Sequence, residues 1–435
     1  MSFAAGAGRV LGSALAPLLP LWLRRRARRG KEVPERLAER SGHGAERPEG
    51  PLLWLHGASV GETLSLLPLM QTLLERSPRL TLLVTTGTVT AAGMLAQRLP
   101  PALAGRVIHR FAPLDVPRWL ERFLQGWRPD GAVFVESELW PNLSAALARH
   151  GIPAALVNAR LSARSARMWR WAPGLAREML SRFRLVVAQS EADAERLRAL
   201  GATGAEHWGH LKAAAEKLPA DPAELDRLRR AIGRRPVFLA ASTQPGEEAS
   251  ILAAHATLRR RFPELLTILA LRHPVRAEEV AALAAPFGRT ARRSRGQLPQ
   301  PGCDLYLVDT LGEMGLFFRL AGVCFIGASL VPKGGHNPLE PARLGCPILF
   351  GPYTDNVQAV ADRLVATGGA IRVRDSATLA EAVADVLSDA GRARAMVRAA
   401  ALIADDAALL PGKLASAILA IMPLGAGDPP AQDGT

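Results

Sequence analysis

Short apolar segments alternate with longer Ala- and Leu-rich segments through most of this chain. The short segments have the length and aliphatic composition of buried strands, whereas residues 63–76 and 117–126 have the apolar spacing of helices. Strands that alternate with helices build a parallel sheet that is covered by helices. The strands predicted in the first half are residues 52–55, 80–85, 106–109, 132–135, 154–157 and 185–188.

The alternation stops once, at the segment LPADP of residues 218–222, and then starts again. Two prolines in so short a segment are typical of a link between domains, and 435 residues are enough for two domains with separate cores. We therefore expect two doubly wound α/β domains that face a cleft, with ligands at the carboxyl ends of the strands. The strands predicted in the second half are residues 237–241, 265–270, 305–308, 323–326, 347–350 and 370–373.

The first 31 residues are expected to attach the chain to a membrane. Residues 10–23 (VLGSALAPLLPLWL) are apolar, but they are few for a spanning helix and include Pro17 and Pro20. The basic run RRRARRGK comes after this segment, whereas a secretory signal peptide carries its charge first. We predict an interfacial or marginally spanning anchor rather than a core helix, with the basic run on the cytoplasmic side. At the other end, the Gly-, Pro- and Asp-rich residues 425–435 are expected to be a disordered tail.

The charge balance suggests acidic partners, because the formal net charge is +14. Nucleic acid is disfavoured, since the chain has only 2 Tyr and no aromatic RNA-binding motif. Anionic lipid and phosphorylated substrates remain. Cys303, Cys324 and Cys346 lack the spacing of metal ligands, so we expect reduced thiols and no metal or cofactor.

Residues 327–356, which read GASLVPKGGHNPLEPARLGCPILFGPYTDN, contain a glycine-rich turn before a predicted helix. Gly334 and Gly335 would let the backbone approach a ligand closely. Asn337 is a predicted N-cap, and Pro338 is placed at the first helical position. Such a helix start offers N–H groups to a phosphate. The alternative is a plain turn followed by a capped helix.

Three charged or titratable side chains, Lys333, His336 and Glu340, surround this turn. The carboxylate of Glu340 has acceptor oxygens for sugar hydroxyls, and the other two side chains suit a phosphate. A plain turn has no need of all three. The cluster therefore favours a pocket for a nucleotide-linked sugar donor.

Acidic residues follow two of the predicted strands. Glu62 lies in HGASVGE, where a strand ends and a tight loop leads into a helix. It is a candidate general base, or else only a favourable charge at a helix start. Glu136 and Glu138 in ESELW follow residues 132–135, and alternation would point both to the same side. They are functional acids, or else they cap a helix or pair with Arg160 or Arg164.

Basic and turn residues complete the candidates. Lys212 in GHLK, near the domain link, could reach a phosphate or a carboxylate, or be solvated. Arg272 and His273 follow the strand 265–270 and suit an anionic ligand. The segment DTLGEMG forms a turn into a helix through Leu311, Gly312 and Glu313.

The motifs HGASVGE, ESELWPNL, NARLSARS, DTLGEMG and GGHNPLEPA occur in this order. Over about residues 36–405 the chain resembles the 3-deoxy-D-manno-octulosonic acid (Kdo) transferases of Gram-negative lipopolysaccharide assembly. The resemblance implies a GT-B fold, with an acceptor-binding domain at residues 32–217 and a CMP-Kdo-binding domain at residues 218–424. It also implies association with the cytoplasmic face of the inner membrane. The implied reaction transfers Kdo from CMP-Kdo to the lipid A precursor lipid IV(A), with inversion and without a metal.

The resemblance also implies roles for single residues. Glu62 matches the base that deprotonates the acceptor hydroxyl. Lys212 and one of the two acids Glu136 and Glu138 would assist the transition state, and the sequence leaves the choice between the acids open. The residues implied to bind CMP-Kdo are Arg272, His273, Leu311, Gly312, Glu313, Asn337, Pro338, Leu339 and Glu340.

The chain departs from the family pattern at a few positions. Ala241 and Gln244 stand where Gly and His are common, and Ala328 stands where Gly is common. Gln244 can still donate a hydrogen bond. Two alternatives remain: another GT-B enzyme, such as a sugar-nucleotide epimerase or a different lipid glycosyltransferase, and an inactive membrane-bound carbohydrate-binding module. The intact Glu62 speaks against the second.

Overall fold

The computed structural model describes residues 16–211 and 217–422. Within these residues the chain forms two compact units. The first unit consists of residues 16–211 together with 409–422, and the second consists of residues 217–408.

The first unit is built on a parallel seven-stranded sheet with the strand order β3-β2-β1-β4-β5-β6-β7. Its six longer strands agree with the predicted ones to within a few residues, because strands buried on both faces are continuous apolar runs. The seventh strand is short and exposed, and the sequence did not predict it. The strands are β1 (Leu52–Gly57), β2 (Thr81–Thr86), β3 (Val107–Phe111), β4 (Gly131–Val135), β5 (Ala154–Ala159), β6 (Phe183–Ala188) and β7 (Glu206–His207).

Helices cover both faces of this sheet. Alternate residues of β1 enter different cores: Trp54 packs with Phe123 and Phe134 on one face, and Leu53 and Leu55 pack on the other. The helices of the first unit are Leu19–Ala27, Val60–Ser65, Leu67–Arg76, Val89–Arg98, Pro101–Ala104, Pro117–Trp127, Pro141–Arg149, Ala163–Trp169, Pro173–Leu180, Glu191–Ala199 and Leu410–Ile421, with a 3₁₀ helix at Pro34–Ser41.

The last helix of the described chain, Leu410–Ile421, belongs to the first unit. Its buried residues Leu410, Leu414 and Ile418 recur every four positions and join the core that contains Leu53. The sequence-based division, which assigned residues 218–424 to the second domain, differs from the structure here. Helical spacing shows that a face is apolar, but it does not show which core that face covers.

The N-terminal segment is described only from residue 16, so residues 1–15 of the predicted anchor lie outside the described part, as do residues 425–435 of the predicted tail. The helix Leu19–Ala27 exposes Leu18, Leu21 and Trp22 around its first turns. No helix in the described residues is long and apolar enough to cross a membrane.

The second unit contains a parallel seven-stranded sheet with the order β10-β11-β9-β8-β12-β13-β14. Six strands match the predicted ones closely, and the short polar strand β10 was not predicted. The strands are β8 (Val237–Thr243), β9 (Leu266–Leu271), β10 (Thr290–Arg292), β11 (Leu305–Val308), β12 (Val323–Ile326), β13 (Ile348–Phe350) and β14 (Ala370–Arg372).

The core of the second unit contains Phe238, Leu269, Phe325 and Leu349, one from each of four adjacent strands. The helices are Pro222–Ile232, Glu247–Arg261, Ala277–Ala284, Met314–Leu320, Leu339–Arg343, Gln358–Ala366, Ser376–Ser388 and Ala390–Ala408, with 3₁₀ helices at Pro274–Arg276, Ala285–Phe287 and Arg293–Arg295.

Each sheet collects the candidate residues at its carboxyl edge. In the first unit β1, β4 and β5 are neighbours, so the loops that follow them are adjacent. In the second unit β9, β8 and β12 are neighbours in the same way. The predicted motifs HGASVGE, ESELW and NARLS follow the first three strands, and LRHP, STQPG and the glycine-rich turn follow the second three.

Candidate active site

Glu62 is held by its own loop. Ser59 is the N-cap of the helix Val60–Ser65, and its hydroxyl donates to Oε1 of Glu62 at 2.7 Å. The backbone N–H of Ala58 donates to Oε2 at 2.8 Å. A Cβ on Gly57 would lie 3.0 Å from the backbone nitrogen of Thr63, so the loop needs glycine at this turn. The half-buried carboxylate is therefore oriented, and each oxygen keeps acceptor capacity for a further partner.

Glu138 lies beside a buried histidine of the neighbouring strand. Oε2 of Glu138 is 3.3 Å from Nε2 of His56, which is close enough for an ion pair but is not aligned as a hydrogen bond. Nδ1 of His56 lies 3.1 Å from the carbonyl oxygen of Thr85, to which it can donate, and 2.8 Å from the Thr85 hydroxyl. The ring of Trp140 meets the imidazole edge to face at 5.9 Å. These contacts fix the ring so that Nε2 faces the carboxylate.

Glu136 has a backbone conformation that the sequence did not indicate. Its φ is +63°, so the chain turns at the end of β4 and does not continue as an extended segment. The prediction that alternation points Glu136 and Glu138 to the same side was therefore wrong in its premise. The carbonyl oxygen of Glu136 accepts from the backbone N–H of Arg160 at 3.2 Å, and the hydroxyl of Ser137 donates to the carbonyl oxygen of Arg160 at 2.9 Å. The ESELW and NARLS loops are thus tied together.

Lys212 lies outside the described residues. The residue before it is anchored at the same sheet edge, because Oδ1 of Asn158 accepts from the backbone N–H of Leu211 at 3.1 Å. Asn158 is itself in the left-handed region, with φ +50°.

A basic cluster that the sequence did not single out stands at the ends of β2 and β3. Arg40 is buried, pairs with Glu32 at 2.9 Å and donates to the carbonyl oxygen of Gly87 at 2.7 Å. His109 lies next to Arg36, and burial, together with that charge, lowers the pKa of His109 to about 4. A signal was present in the motif PERLAERSG, whose two arginines are four positions apart, the spacing that makes side chains neighbours on an α-helix, although the structure forms a 3₁₀ helix here.

The glycine-rich turn of the second unit packs against the protein itself. Gly334 has φ +87°, and a Cβ there would lie 2.5 Å from the side chain of Asn356. A Cβ on Gly335 would lie 3.3 Å from the carbonyl oxygen of Tyr353. The loop at residues 353–356 therefore lies on the side of both glycines where a Cβ would stand, and the approach of a ligand to this turn stays a prediction.

The helix after the turn is short and begins one residue later than predicted, at Leu339. Pro338 therefore precedes the helix and is not its first residue. Oδ1 of Asn337 accepts from the backbone N–H of Leu339 at 3.1 Å, so Asn337 still satisfies one backbone donor at the helix start. The helix ends at Arg343, and so few residues build only a small helix dipole.

Side chains of both charge types gather around Glu340. Burial raises the pKa of Glu340, while the charges of Arg343 and Arg272 and a hydrogen bond from Asn337 oppose this rise. Burial lowers the pKa of His336, and the charge of Arg272 lowers it further. Nε2 of His336 is buried and has no hydrogen-bond partner among the described residues.

Arg272 and His273 are exposed beside this cluster. Together with His336 and Glu340, they can offer cationic or N–H groups to an anion and a carboxylate to hydroxyl groups. The structure thus brings together the candidates after β9 with those after β12.

The third predicted donor segment follows β11. Leu311 is 69% exposed and Gly312 has φ +86°. The carboxylate of Glu313 is held by Arg293, whose Nε donates at 3.1 Å, and by the hydroxyl of Thr310. These bonds lower the pKa of Glu313, chiefly through Arg293. Glu313 therefore shapes the turn, and Leu311 and Gly312 are presented to solvent.

Glu247 ties together the loops that follow β8 and β12. It is fully buried, and its carboxylate accepts from four backbone N–H groups, those of Gln244, Ala328, Ser329 and Leu330, at 2.7–2.9 Å. Ala328 has φ +62°, which disfavours any residue with a Cβ and explains why the resemblance expects glycine there. Glu247 was not among the predicted site residues.

The chain is similar to known proteins over most of its length. A family model described as 3-Deoxy-D-manno-octulosonic-acid transferase (kdotransferase) matches residues 35–215. The 3-deoxy-D-manno-octulosonic acid transferase of Bordetella pertussis is 38% identical over 397 residues, which cover 89% of this chain and 92% of that relative. The protein of the same name from Rickettsia bellii (strain RML369-C) is 35% identical over 353 residues, which cover 80% of this chain and 83% of that relative.

Solved structures bear on the fold. A glycosyltransferase from Rickettsia africae ESF-5 has a TM-score of 0.57 at 11% identity, and the match covers 86% of this chain and 99% of that chain. At this identity the likeness concerns the fold alone. The GT-B class that the sequence predicted is confirmed. With similarity to its relatives over most of its length, the chain belongs to the 3-deoxy-D-manno-octulosonic acid transferase family of glycosyltransferases.

Proposed function

We propose that this enzyme transfers Kdo from CMP-Kdo to the lipid A precursor lipid IV(A) in lipopolysaccharide biosynthesis. The observation that carries the proposal is the 38% identity to a Kdo transferase along nearly the whole chain, with Glu62 oriented in an intact HGASVGE loop.

The second unit binds the donor. CMP-Kdo carries a phosphate and a sugar carboxylate, and Arg272, His273 and His336 provide groups that suit anions. His336 supports this role, because its buried Nε2 has no hydrogen-bond partner in the described chain. Glu340 accepts from hydroxyl groups of the ribose. The exposed Leu311 offers apolar contact to the nucleotide.

Glu62 is the general base. As the hydroxyl oxygen of the acceptor attacks the anomeric carbon of Kdo, its proton passes to the Glu62 carboxylate. The bond from the anomeric carbon to the phosphate oxygen breaks, and CMP leaves with the electron pair. Attack on the side opposite to CMP inverts the anomeric centre. The two hydrogen bonds from Ser59 and Ala58 hold the carboxylate in one orientation before the acceptor arrives.

Glu138, rather than Glu136, assists the reaction in this proposal. Glu138 has a partner that orients it, because His56 is fixed by Thr85 and Trp140 and turns Nε2 toward it. Glu136 lies at a left-handed turn at the end of β4, and its carbonyl oxygen joins the ESELW and NARLS loops. Lys212 is proposed to assist as the resemblance implies, and the backbone N–H of the preceding residue, Leu211, donates to Asn158.

The protein is proposed to act at the cytoplasmic face of the inner membrane, where its lipid acceptor resides. The exposed Leu21 and Trp22, followed by the basic run, support attachment through the N-terminal segment.

The test is a mass-spectrometric transferase assay with purified full-length protein, CMP-Kdo and a tetra-acylated lipid A precursor. A gain of one or more Kdo units would support the proposal and would also count the additions. No gain from a folded protein, under conditions in which a known Kdo transferase works, would reject the proposed donor or acceptor. UDP-sugars in parallel reactions test the alternative of a different glycosyltransferase or an epimerase.

A further inference from the structure

The turn that follows one helix of the first unit exposes a large aromatic side chain to solvent. Trp171, just beyond the helix Ala163–Trp169, is 92% exposed, and Met168 is 62% exposed. Large apolar side chains this exposed, side by side, are unusual on a soluble surface and mark a contact with something else.

The opposite side of the same helix explains how it is held. Ala166 and Trp169, three positions apart, pack against the core of the first unit. The backbone N–H of Trp171 donates to the carbonyl oxygen of Met168 at 3.1 Å, so the exposed residue extends the helical turn. The exposure of Trp171 is thus a property of a packed element and not of a loose loop.

Arginines surround the exposed tryptophan. Arg164, Arg167 and Arg170 are exposed, and with Met168 and Trp171 they form what we call the Arg-Trp face. No Asp or Glu occurs in the sequence between Glu138 and Glu178. The face is therefore positively charged, and no acidic residue close to it in the sequence neutralises that charge.

These arginines also differ from their neighbours in the fold. Within residues 16–211 and 217–422, none of the three forms an ion pair, whereas Arg182, Arg196 and Arg198 pair with acids that lie three to seven positions before them in the chain. Unpaired arginines beside an exposed tryptophan and a methionine have the chemistry of an interfacial lipid contact, with a ring at headgroup depth and cations against phosphates. A protein partner would have to supply all the negative charge itself.

The position of the face fits such a contact. The helix follows β5 at the carboxyl edge of the sheet, and its loop is joined through Arg160 to the ESELW loop. We propose that the Arg-Trp face docks on an anionic lipid bilayer, as a second membrane contact besides the N-terminal segment. The docking itself does not depend on the proposed function. Only its purpose does, which is to bring this sheet edge to a lipid acceptor.

The test uses the purified full-length protein and phosphatidylcholine vesicles with or without phosphatidylglycerol. Brominated phospholipid quenches a tryptophan at the bilayer surface. With anionic vesicles, Trp171→Phe should lose part of the quenching that the wild type shows, and Trp22→Phe should lose a separate part. Equal quenching of Trp171→Phe and the wild type would overturn the proposal.

Binding is measured by co-sedimentation. The double variant Arg164→Gln/Arg167→Gln should bind anionic vesicles less tightly, by about fivefold for each arginine removed. The matched control is Arg394→Gln/Arg398→Gln, on a helix of the second unit whose Leu402 is 72% exposed but where Asp405 and Asp406 follow. This control should bind like the wild type. Equal losses in both double variants would mean attraction by net charge alone and would refute docking by this face.

Activity separates this proposal from the proposed function. The double variant should lose transfer to a vesicle-embedded acceptor and keep transfer to a water-soluble, deacylated acceptor. A wild type that is inactive on both acceptors would reject the proposed function, and the quenching result would still decide the docking. The face could instead bind a second copy of the chain. If the wild type is a dimer, Trp171→Ser is a monomer, and vesicles do not quench the wild type, the proposal is overturned.

Discussion

At the scale of single residues, the two candidate catalytic acids of the first unit are held in different ways. Glu62 receives its hydrogen bonds from its own loop, whereas Glu138 depends on a histidine of the next strand. Removing the charge of Glu62 should therefore affect only its own loop, whereas removing the charge of Glu138 should also affect His56.

Glu62→Gln keeps the shape of the side chain but cannot take up the proton of the acceptor. We expect kcat to fall by about 10²–10⁴-fold, the usual contribution of general base catalysis, with CMP-Kdo affinity nearly unchanged. Transfer rates and calorimetric titration with CMP-Kdo measure the two effects. Loss of donor affinity in parallel with kcat would contradict the assignment of the base.

The partnership of His56 with Glu138 is tested by a double-mutant cycle. His56→Asn and Glu138→Gln should each lower kcat, and the double variant should be no slower than Glu138→Gln alone, because one side chain acts through the other. In the parallel cycle of His56→Asn with Glu136→Gln, the losses should multiply. Multiplying losses in the first cycle would refute the assignment of Glu138.

His255 should make the second unit sensitive to acid. This histidine is buried, with Nδ1 2.8 Å from the hydroxyl of Thr267, and burial lowers its pKa to about 4. Below its unfolded pKa of 6.5, the unfolded state binds a proton that the folded state does not. The free energy of unfolding should therefore fall as the pH falls from about 6.5 to about 4, by at most about 3 kcal/mol from this residue.

Urea unfolding followed by circular dichroism, at several pH values, measures this effect. The stability advantage of the wild type over His255→Gln should shrink as the pH falls through this range. His109, whose pKa is also about 4, contributes equally to both proteins and cancels in the difference. A constant difference at all pH values would contradict the prediction.

At the scale of elements, the sequence predicted the long strands well and the short ones not at all. Buried parallel strands such as Leu52–Gly57 are continuous apolar runs, and hence visible. The strands Glu206–His207 and Thr290–Arg292 are short and polar, and they form only because a neighbouring strand offers its edge. Their pairing depends on tertiary contacts, which a local sequence pattern does not show.

Parts of the candidate site were hidden for similar reasons. The left-handed backbone at Glu136 is not signalled by its residue type, since glutamate is rare there. The carboxylate of Glu247 binds the N–H groups of residues 328–330, far along the chain, so no motif announces it. Gly334 and Gly335 were recognised as special positions, but their approach to the loop at residues 353–356 was not predicted.

The last helix provides an element-scale prediction. Leu414→Ala should lower the free energy of unfolding of the first unit by about 2–5 kcal/mol, because Leu414 is fully buried in the core that contains Leu53. All eight tryptophans occur at or before Trp208, so tryptophan fluorescence during urea unfolding reports this unit. An unchanged fluorescence midpoint, with a folded starting state, would contradict the packing of this helix on the first sheet.

At the scale of the whole molecule, charge is concentrated at the N-terminus. Residues 1–31 contain seven basic side chains and no acidic one, which is half of the formal net charge. The fold beyond them keeps its own support, since Arg40 still pairs with Glu32.

Deleting residues 1–31 should therefore weaken co-sedimentation with anionic vesicles strongly and leave the affinity for CMP-Kdo nearly unchanged. Transfer to the lipid acceptor should fall more than transfer to a soluble one. Vesicle binding and calorimetry, side by side, measure the two properties. Undiminished sedimentation of the shortened protein would show that this segment is not the main attachment.

The path of the chain has a consequence for its synthesis. Residues 217–408 interrupt the first unit, so its helix Leu410–Ile421 leaves the ribosome only after the whole second unit. During translation the second unit can complete its core while the sheet that carries Glu62 still lacks a covering helix. A chain that stops before this helix therefore leaves Leu53 and its neighbours open to chaperones and proteases, and the surface closes once Leu410–Ile421 has been made.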